Sequence, residues 1–299
     1  MTHANTRLTP DTAKSALLEA CKAAGISAES AKLVRMGENA MYRLPGKIMA
    51  RIGRSLEASR KEARIAKWLD GENFPAVRLF AGMTRPIRAG HFHVTFWDFI
   101  TETPPAPTSR DLGRVLRALH ALAPSPDLDL PPFRPLPKVA DRLKALPSGQ
   151  ISTADIDFLW SRCDLLQRDF DRLTFKLPRG PIHGDAHNGN LLRDQAGVVR
   201  LLDFEDFSHG PREWDVSVAA TRFDAFGWMT RREYEDYVEE YGFDPLQWTG
   251  YPVLRAIREL NMTTWLMQQV GQSSKVDQEI HKRIDDLRDD QFPRRWSVF

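Results

Sequence analysis

Two cysteines in 299 residues are too few for a disulfide framework, and Cys21 and Cys163 both fall in helix-like segments, so they read as small, reduced packing residues. Charge of one sign is missing as well. With 42 basic against 40 acidic side chains and a net charge of +2, the chain has no electrostatic footprint for nucleic acid, whose phosphates require a surplus of cations. No run approaches the roughly 18 consecutive apolar residues of a membrane span, and the polar start MTHANTRLTPDTAK has no apolar core of the kind found in signal peptides. The expectation is a cytoplasmic protein with neither a membrane nor a nucleic-acid partner. The sequence carries no signal of oligomeric state, no internal repeat and no low-complexity tract. It also lacks any GxGxxG, which excludes a phosphate cradle built on a glycine triad.

What is present is enough apolar chain for a large core. A single core stops growing near roughly 250–300 residues, so two lobes are expected. Residues 1–100 read as a small sheet carrying helices. Thr9 and Pro10 open a helix that Gly25 closes. Residues 31–44 and 47–52 read as two strands joined at Pro45-Gly46. Ser55 caps LEASRKEARIAKWLDG, and AVRLFAG and HFHVTFWDFI read as further strands, the second half-buried because Phe92, Val94 and Phe96 alternate with His91, His93 and Thr95. The Pro- and Thr-rich TETPPAPTS marks the lobe boundary. Residues 101–299 are mainly helical, with Ser109 as the cap of RDLGRVLRALHAL and a long helix at TADIDFLWSRCDLLQRDFDRL. Charge is graded along the chain, +7 over residues 1–99, +2 over 100–182 and −7 over 183–299, so the first part suits an anionic ligand.

The chemistry is concentrated in PIHGDAHNGNLLRDQAGVVRLLDFEDF, residues 181–207. Asp185, Asn190 and Asp203 stand in polar loops beside the apolar runs Leu191-Leu192 and Val198 to Leu202. Phosphoryl transfer asks a protein for positioning, for one group that takes or orients the acceptor's proton, and for hard oxygen ligands to a divalent ion. A carboxylate, an amide and a second carboxylate at this spacing supply those parts. By ordinary residue usage a His-Gly-Asp followed at this spacing by Asn, as in His183, Gly184, Asp185 and Asn190, arises by chance in roughly one such chain in a thousand. Read instead as transition-metal ligands, His183, Asp185 and His187 would leave Asn190 and Asp203 unexplained.

On these residues the sequence resembles the aminoglycoside phosphotransferase and choline kinase superfamily, small-molecule relatives of the protein kinases. The family's HGDxxxxN stands here as His183, Gly184, Asp185 and Asn190, and its IDF(E/D) strand as Leu202, Asp203, Phe204 and Glu205. Its first hairpin is matched by Gly37, Asn39, Ala40, Tyr42 and Leu44, its basic residue by Arg51, its helical glutamate by Glu62, and its GxxxxD by Gly210 to Asp215. The resemblance implies an α+β, bilobal protein-kinase-like fold, with a small antiparallel-sheet N-terminal lobe (1–100) that binds nucleotide and a mainly helical C-terminal lobe (101–299) for catalysis and acceptor binding. It implies Asp185 as catalytic base, Asn190 and Asp203 as Mg²⁺ ligands, and Arg51 on the α/β-phosphates of ATP, or of GTP in its place, oriented by Glu62. Asn39 belongs to the turn that meets the phosphates, the Asp98 carbonyl and Ile100 amide would meet adenine, and Asp215 would brace the catalytic loop.

Many relatives carry lysine at the Arg51 place, and Lys47 is the alternative cation. The absence of His-Arg-Asp, Asp-Phe-Gly and Ala-Pro-Glu disfavours a protein kinase. The implied activity is ATP- and Mg²⁺-dependent transfer of the γ-phosphoryl group to a hydroxyl of a small molecule, with a cationic one such as an aminoglycoside or other antibiotic as the candidate and choline, an amino alcohol or a sugar metabolite as the alternative. A catalytically silent nucleotide-binding module is the alternative of another class. Glu233, Glu235, Asp236, Glu239 and Glu240 form an acidic run that reads either as a solvated helix face or as a rim for an amine-bearing acceptor. Trp214, Phe223, Phe226, Trp228, Tyr234 and Tyr237 read as helix packing or as a stacking wall.

Overall fold

In a computed structural model, residues 7–80, 83–125, 128–289 and 293–299 are described; residues 1–6 of the polar N-terminal start, and Ala81 and Gly82 of AVRLFAG, lie outside them. The chain divides into two compact units. The first comprises residues 1–107, 122–130 and 188–207, the second residues 108–121, 131–187 and 208–299.

The first unit is built on an antiparallel sheet of five strands in the order β1-β2-β3-β5-β4: β1 (Lys32–Met36), β2 (Ala40–Leu44), β3 (Ile48–Gly53), β4 (Ile87–Ala89) and β5 (Phe92–Asp98). Helix α1 (Pro10–Ala24) begins in a capping box, the Thr9 hydroxyl accepting from the Thr12 amide and Thr12 accepting from that of Thr9, and ends on Gly25 in the left-handed region. Its buried Ala13, Leu17, Ala20 and Cys21 form one core with Tyr42, Ala50, Ile52, Val94 and Phe96. The two-residue period of β3 puts Ile48, Ala50 and Ile52 into this core and turns Arg51 to the opposite face.

Helix α2 (Leu56–Gly71), capped by Ser55 on the Ala58 amide, packs against β5. Its presence corrects the half-buried reading of β5, because Thr95 and Trp97 are buried as well as Val94 and Phe96. The single strand expected over 31–44 is two strands, broken where the Gly37 amide donates to the Asn39 carbonyl. The described part of AVRLFAG forms no regular strand. Its backbone hydrogen bonds alternate between two partners, Val77 donating to the Leu201 carbonyl and Phe80 to that of Phe96, so no continuous ladder develops.

Also in the first unit, β7 (Leu191–Arg193) and β8 (Val199–Leu201) form a hairpin. Asp194 shapes its turn by accepting the Ala196 and Val198 amides and pairing with Arg200 at 2.8 Å. The hairpin is anchored where Leu201 donates to the Pro75 carbonyl.

The second unit is mainly helical: α3 (Ser109–Ala121), α4 (Val139–Lys144), α5 (Thr153–Asp171), α6 (Glu213–Asp224), α7 (Arg231–Tyr241), α8 (Tyr251–Leu266) and α9 (Ser274–Arg288), with β6 (Arg179–Ile182) paired antiparallel to β9 (Ser208–Pro211). The α3 cap is Thr108 rather than Ser109, since Thr108 and Asp111 exchange side-chain-to-amide bonds of 2.9 and 3.2 Å. Helices α3 and α7 touch backbone to backbone at Gly113, where a Cβ would stand 2.7 Å from the Tyr237 carbonyl oxygen. No helix among the described residues is long and apolar enough to cross a membrane.

Candidate active site

In the first unit, Arg51 is the centre of a charge cluster. Its guanidinium meets Glu62 at 2.7 Å, Glu205 at 2.8 Å and Asp203 at 3.6 Å. Strand β3 aims Arg51 at this cluster, and α2 presents Glu62, which is only 4% exposed. Burial pushes the Glu62 carboxyl up to about 7, with Asp203 and Glu205 adding to the rise and Arg51 opposing it. Among the two cations considered above, Lys47 lies exposed in the β2–β3 turn at φ 59°, while Arg51 carries the ion pairs.

Asn39 joins through Glu205, donating at 3.3 Å, and its Oδ1 lies over Gly53, where a Cβ would come within 2.7 Å of it. Lys61, from the turn of α2 that bears Glu62, donates to the carbonyls of Glu205 and Phe207. It pins the loop after Asp203 from beneath. Phe204, buried and edge-on to Trp97 and Phe207, anchors the same loop.

Asn190 and Asp203 leave the same end of the β7–β8 hairpin, and the Leu202 amide donates to the Asn190 carbonyl at 2.9 Å. Asp203 adopts φ 60°, uncommon for a residue with a side chain, and its carboxylate accepts the Glu205 amide at 3.3 Å while remaining 42% exposed. An amide oxygen and an exposed carboxylate are hard donors that fit Mg²⁺. Asp98 and Ile100 lie at and just beyond the end of β5, where the Phe99 amide donates back to the Lys47 carbonyl. The Ile100 amide has no hydrogen-bond partner among the described residues.

In the second unit, the loop after β6 carries Asp185. The fully buried Asp215, on the first turn of α6, accepts the His183 amide at 2.7 Å and the Gly184 amide at 2.8 Å. Gly184, at φ 89°, gives its carbonyl to the Trp214 indole at 2.7 Å, and the Asp185 amide donates to His183 Nδ1 at 3.3 Å. These bonds fix the backbone on both sides of Asp185. Burial raises the Asp215 carboxyl, but its bond with His120 and the nearby His183 outweigh burial and hold it below its ordinary value. His120, on α3, reaches Asp215 at 3.1 Å through Nε2 and the Tyr241 hydroxyl at 2.8 Å through Nδ1.

Asp185 itself faces His187 Nε2 at 3.3 Å. Burial would raise its carboxyl, yet His187, Arg258 and His183 hold it well below the usual carboxylate range. Among the described residues no group of three or more His, Cys, Asp and Glu side chains is gathered for a metal, so the transition-metal reading of His183, Asp185 and His187 finds no support.

His120, Tyr241 and Lys61 were not identified by sequence reasoning. His120 had a signal: with Leu112 and Leu116 it occupies one helical stripe, and a polar residue on an apolar stripe needs a buried partner. The acidic run of α7 is largely committed within its own unit. Arg110 pairs with Asp236 at 2.7 Å, Glu239 at 2.9 Å and Glu240 at 3.0 Å, Arg114 with Glu240 at 3.3 Å, and Glu233 closes the Thr230 capping box. The aromatic cluster is packing: Phe223 stacks on Tyr234 at 4.8 Å, Phe226 lies 5.0 Å from Trp296, and Tyr237 is fully buried.

Residues 40–257 match the phosphotransferase enzyme family, and the chain belongs to it. The resemblance read from the HGDxxxxN and IDF(E/D) residues is thereby upheld, as is the expectation of a transferase. No curated protein matches the chain by sequence. Among solved structures, the fold is similar to an amicoumacin kinase in complex with AMP-PNP, Ca²⁺ and its antibiotic (TM-score 0.72, 14% identity, 96% of this chain and 97% of that one). It is also similar to a spectinomycin phosphotransferase with ADP and spectinomycin (0.63, 17%, 91% and 94%), and to the choline kinase LicA from Streptococcus pneumoniae (0.61, 14%, 90% and 98%). These likenesses establish the protein-kinase-like fold expected from the sequence.

Proposed function

We propose that this protein is an ATP- and Mg²⁺-dependent kinase of a small hydroxylated molecule. The observation that carries the reading is the Arg51 cluster, in which a half-buried cation meets both a buried glutamate at 2.7 Å and an exposed aspartate at 3.6 Å. A phosphate-gripping cation needs an anion to orient it, and a metal-holding carboxylate must remain open to the ligand. The relatives of known structure crystallised with AMP-PNP, ADP and Ca²⁺ support nucleotide and divalent-ion use. Residues 1–100 serve as the nucleotide lobe and 101–299 as the catalytic and acceptor lobe.

In this reading Asn190 and Asp203 hold Mg²⁺, which neutralises charge on the phosphates when bound. Arg51, oriented by Glu62, grips the α/β-phosphates, the turn containing Asn39 contributes amides, and the Asp98 carbonyl and Ile100 amide meet adenine. The acceptor's hydroxyl oxygen bonds to the γ-phosphorus. The bond to the β–γ bridging oxygen breaks, its electron pair leaves on ADP, and the hydroxyl proton passes to Asp185, giving a phosphate monoester. A carboxylate held as strongly ionised as Asp185 is a weak base. Its contribution is to orient the hydroxyl and to receive the proton late, which suits a loose transition state.

Calorimetric titration of ATP with and without Mg²⁺ tests the metal assignment. Asp203→Asn is expected to remove the Mg²⁺-dependent part of ATP affinity and to leave the metal-independent part. Unchanged Mg²⁺ dependence would refute it.

A further inference from the structure

The side chains that act on the Asp185 carboxylate are basic. His187 lies 3.3 Å from its carboxylate, and Arg258, only 9% exposed, lies with its guanidinium 4.3 Å from the centre of the Trp214 ring and donates to the Trp214 carbonyl. Arg258 is therefore a charge held in place by the Trp214 ring and carbonyl. Arg222 differs. It follows Asp215 and Val218 along one face of α6, about 10 Å along the axis from Asp215 by the rise per residue, and the Asp185 carboxylate acts on its charge.

Burial is the largest influence on the Arg222 charge, opposed by the Asp185 carboxylate and by that of Glu233, whose oxygens serve the Thr230 cap; its backbone carbonyl accepts the Trp228 amide at 2.8 Å, and the Trp228 ring lies 5.5 Å from the guanidinium. The half-buried guanidinium makes no hydrogen bond or ion pair of its own among the described residues. Desolvating an arginine without a partner is costly, and a planar fork of donors matches a carboxylate bidentately. The acids that would attract a polyamine are meanwhile engaged by Arg110, Arg114 and the Thr230 cap.

We propose that the acceptor is a hydroxy acid whose carboxylate is bound by Arg222 while its hydroxyl is presented to Asp185. The proposal rests on the assignment of Asp185 as the acceptor-facing residue and narrows the acceptor of that reaction. The hydroxyl oxygen takes the γ-phosphoryl group and its proton goes to Asp185, as above, while the carboxylate keeps its charge throughout.

The test compares ω-hydroxycarboxylates of increasing chain length with the ω-amino alcohols of the same lengths, on the full chain, by thermal shift and by transfer of label from γ-labelled ATP. Hydroxy acids are expected to raise the melting temperature, and at the best length to be phosphorylated with a kcat/KM at least about tenfold above the matched amine, as a charge-assisted pair allows. Arg222→Gln is expected to erase this preference by raising the KM for the acid without changing kcat, and Arg222→Lys to retain part of it.

A preference for amines, no response to either series, or an equal fall in kcat for both series in Arg222→Gln would overturn the proposal. The kinase reading fails by a separate result, namely label that leaves ATP for neither alcohol nor water. Acid binding by thermal shift requires no turnover, so the two failures are distinguishable.

Discussion

Replacing Asp215 by Asn changes one oxygen to an amide nitrogen at a site that is completely buried. In the wild type, Oδ1 accepts the Gly184 amide, while Oδ2 accepts the His183 amide and faces His120 Nε2. Asn fits in two orientations, and each sets its NH₂ against one of the backbone N–H groups that the carboxylate accepts. The orientation toward Gly184 is the milder, because it loses one bond rather than two. A buried donor left unsatisfied costs about 1–3 kcal/mol, and the charge assistance of the remaining bonds is lost as well, so a destabilisation of roughly 2–3 kcal/mol follows.

Differential scanning calorimetry near neutral pH should show this as a melting temperature lower by roughly 4–10 °C. Because the Asp215 carboxyl lies below its ordinary value in the folded chain, its stabilisation is fully present above the unfolded pKa of about 3.9 and fades as pH falls toward the folded value. The gap between wild type and Asp215→Asn should therefore narrow in acid. Turnover should fall with stability, since the displaced amides belong to the backbone that carries Asp185. A variant melting within about 1 °C of wild type at neutral pH, or a gap that stays constant into acid, would refute the reasoning.

Two further outcomes follow from close contacts in separate units. Gly113→Ala forces a Cβ to within 2.7 Å of the Tyr237 carbonyl oxygen and 3.1 Å of the Glu240 Cβ; overpacking at this α3–α7 contact should cost about 1–3 kcal/mol, read from urea unfolding, and no change in midpoint would show that the helices separate freely. Glu62→Gln keeps the volume but removes the charge facing Arg51 at 2.7 Å; the KM for ATP should rise about tenfold, with the acceptor KM unchanged, and an unaltered ATP KM would deny Glu62 its orienting role.

The most legible part of the molecule was the part written in short spacings. Asp185, Asn190 and Asp203 stood out because polar residues sit at fixed intervals between apolar runs. The β7–β8 hairpin now supplies a local reason for part of that spacing, carrying Asn190 and Asp203 off the same end. Arg51 was singled out by its place in the family pattern, and the structure supplies the physical reason, since the two-residue period of β3 turns it away from Ile48, Ala50 and Ile52. Caps were readable to within one residue, as Thr108 in place of Ser109 shows.

Legibility ended where partners are distant in sequence. His120 meets Asp215 across 95 residues, and Lys61 reaches the Glu205 carbonyl across 144; periodicity shows that such side chains face inward without showing what they meet. The acidic run of α7 was ambiguous for the same reason, since its meaning depended on Arg110 and Arg114 arriving from α3. The interruption of AVRLFAG has a similar origin, as its hydrogen bonds are divided between Leu201 and β5.

The central claim is that Asp185 serves phosphoryl transfer itself rather than nucleotide binding, and following the label of γ-labelled ATP in Mg²⁺ to alcohol or to water tests it most directly. For purified, folded Asp185→Asn the account predicts transfer slower by roughly 10²–10⁴ with ATP affinity unchanged. Transfer at the wild-type rate, or a loss explained wholly by weaker ATP binding, would contradict it.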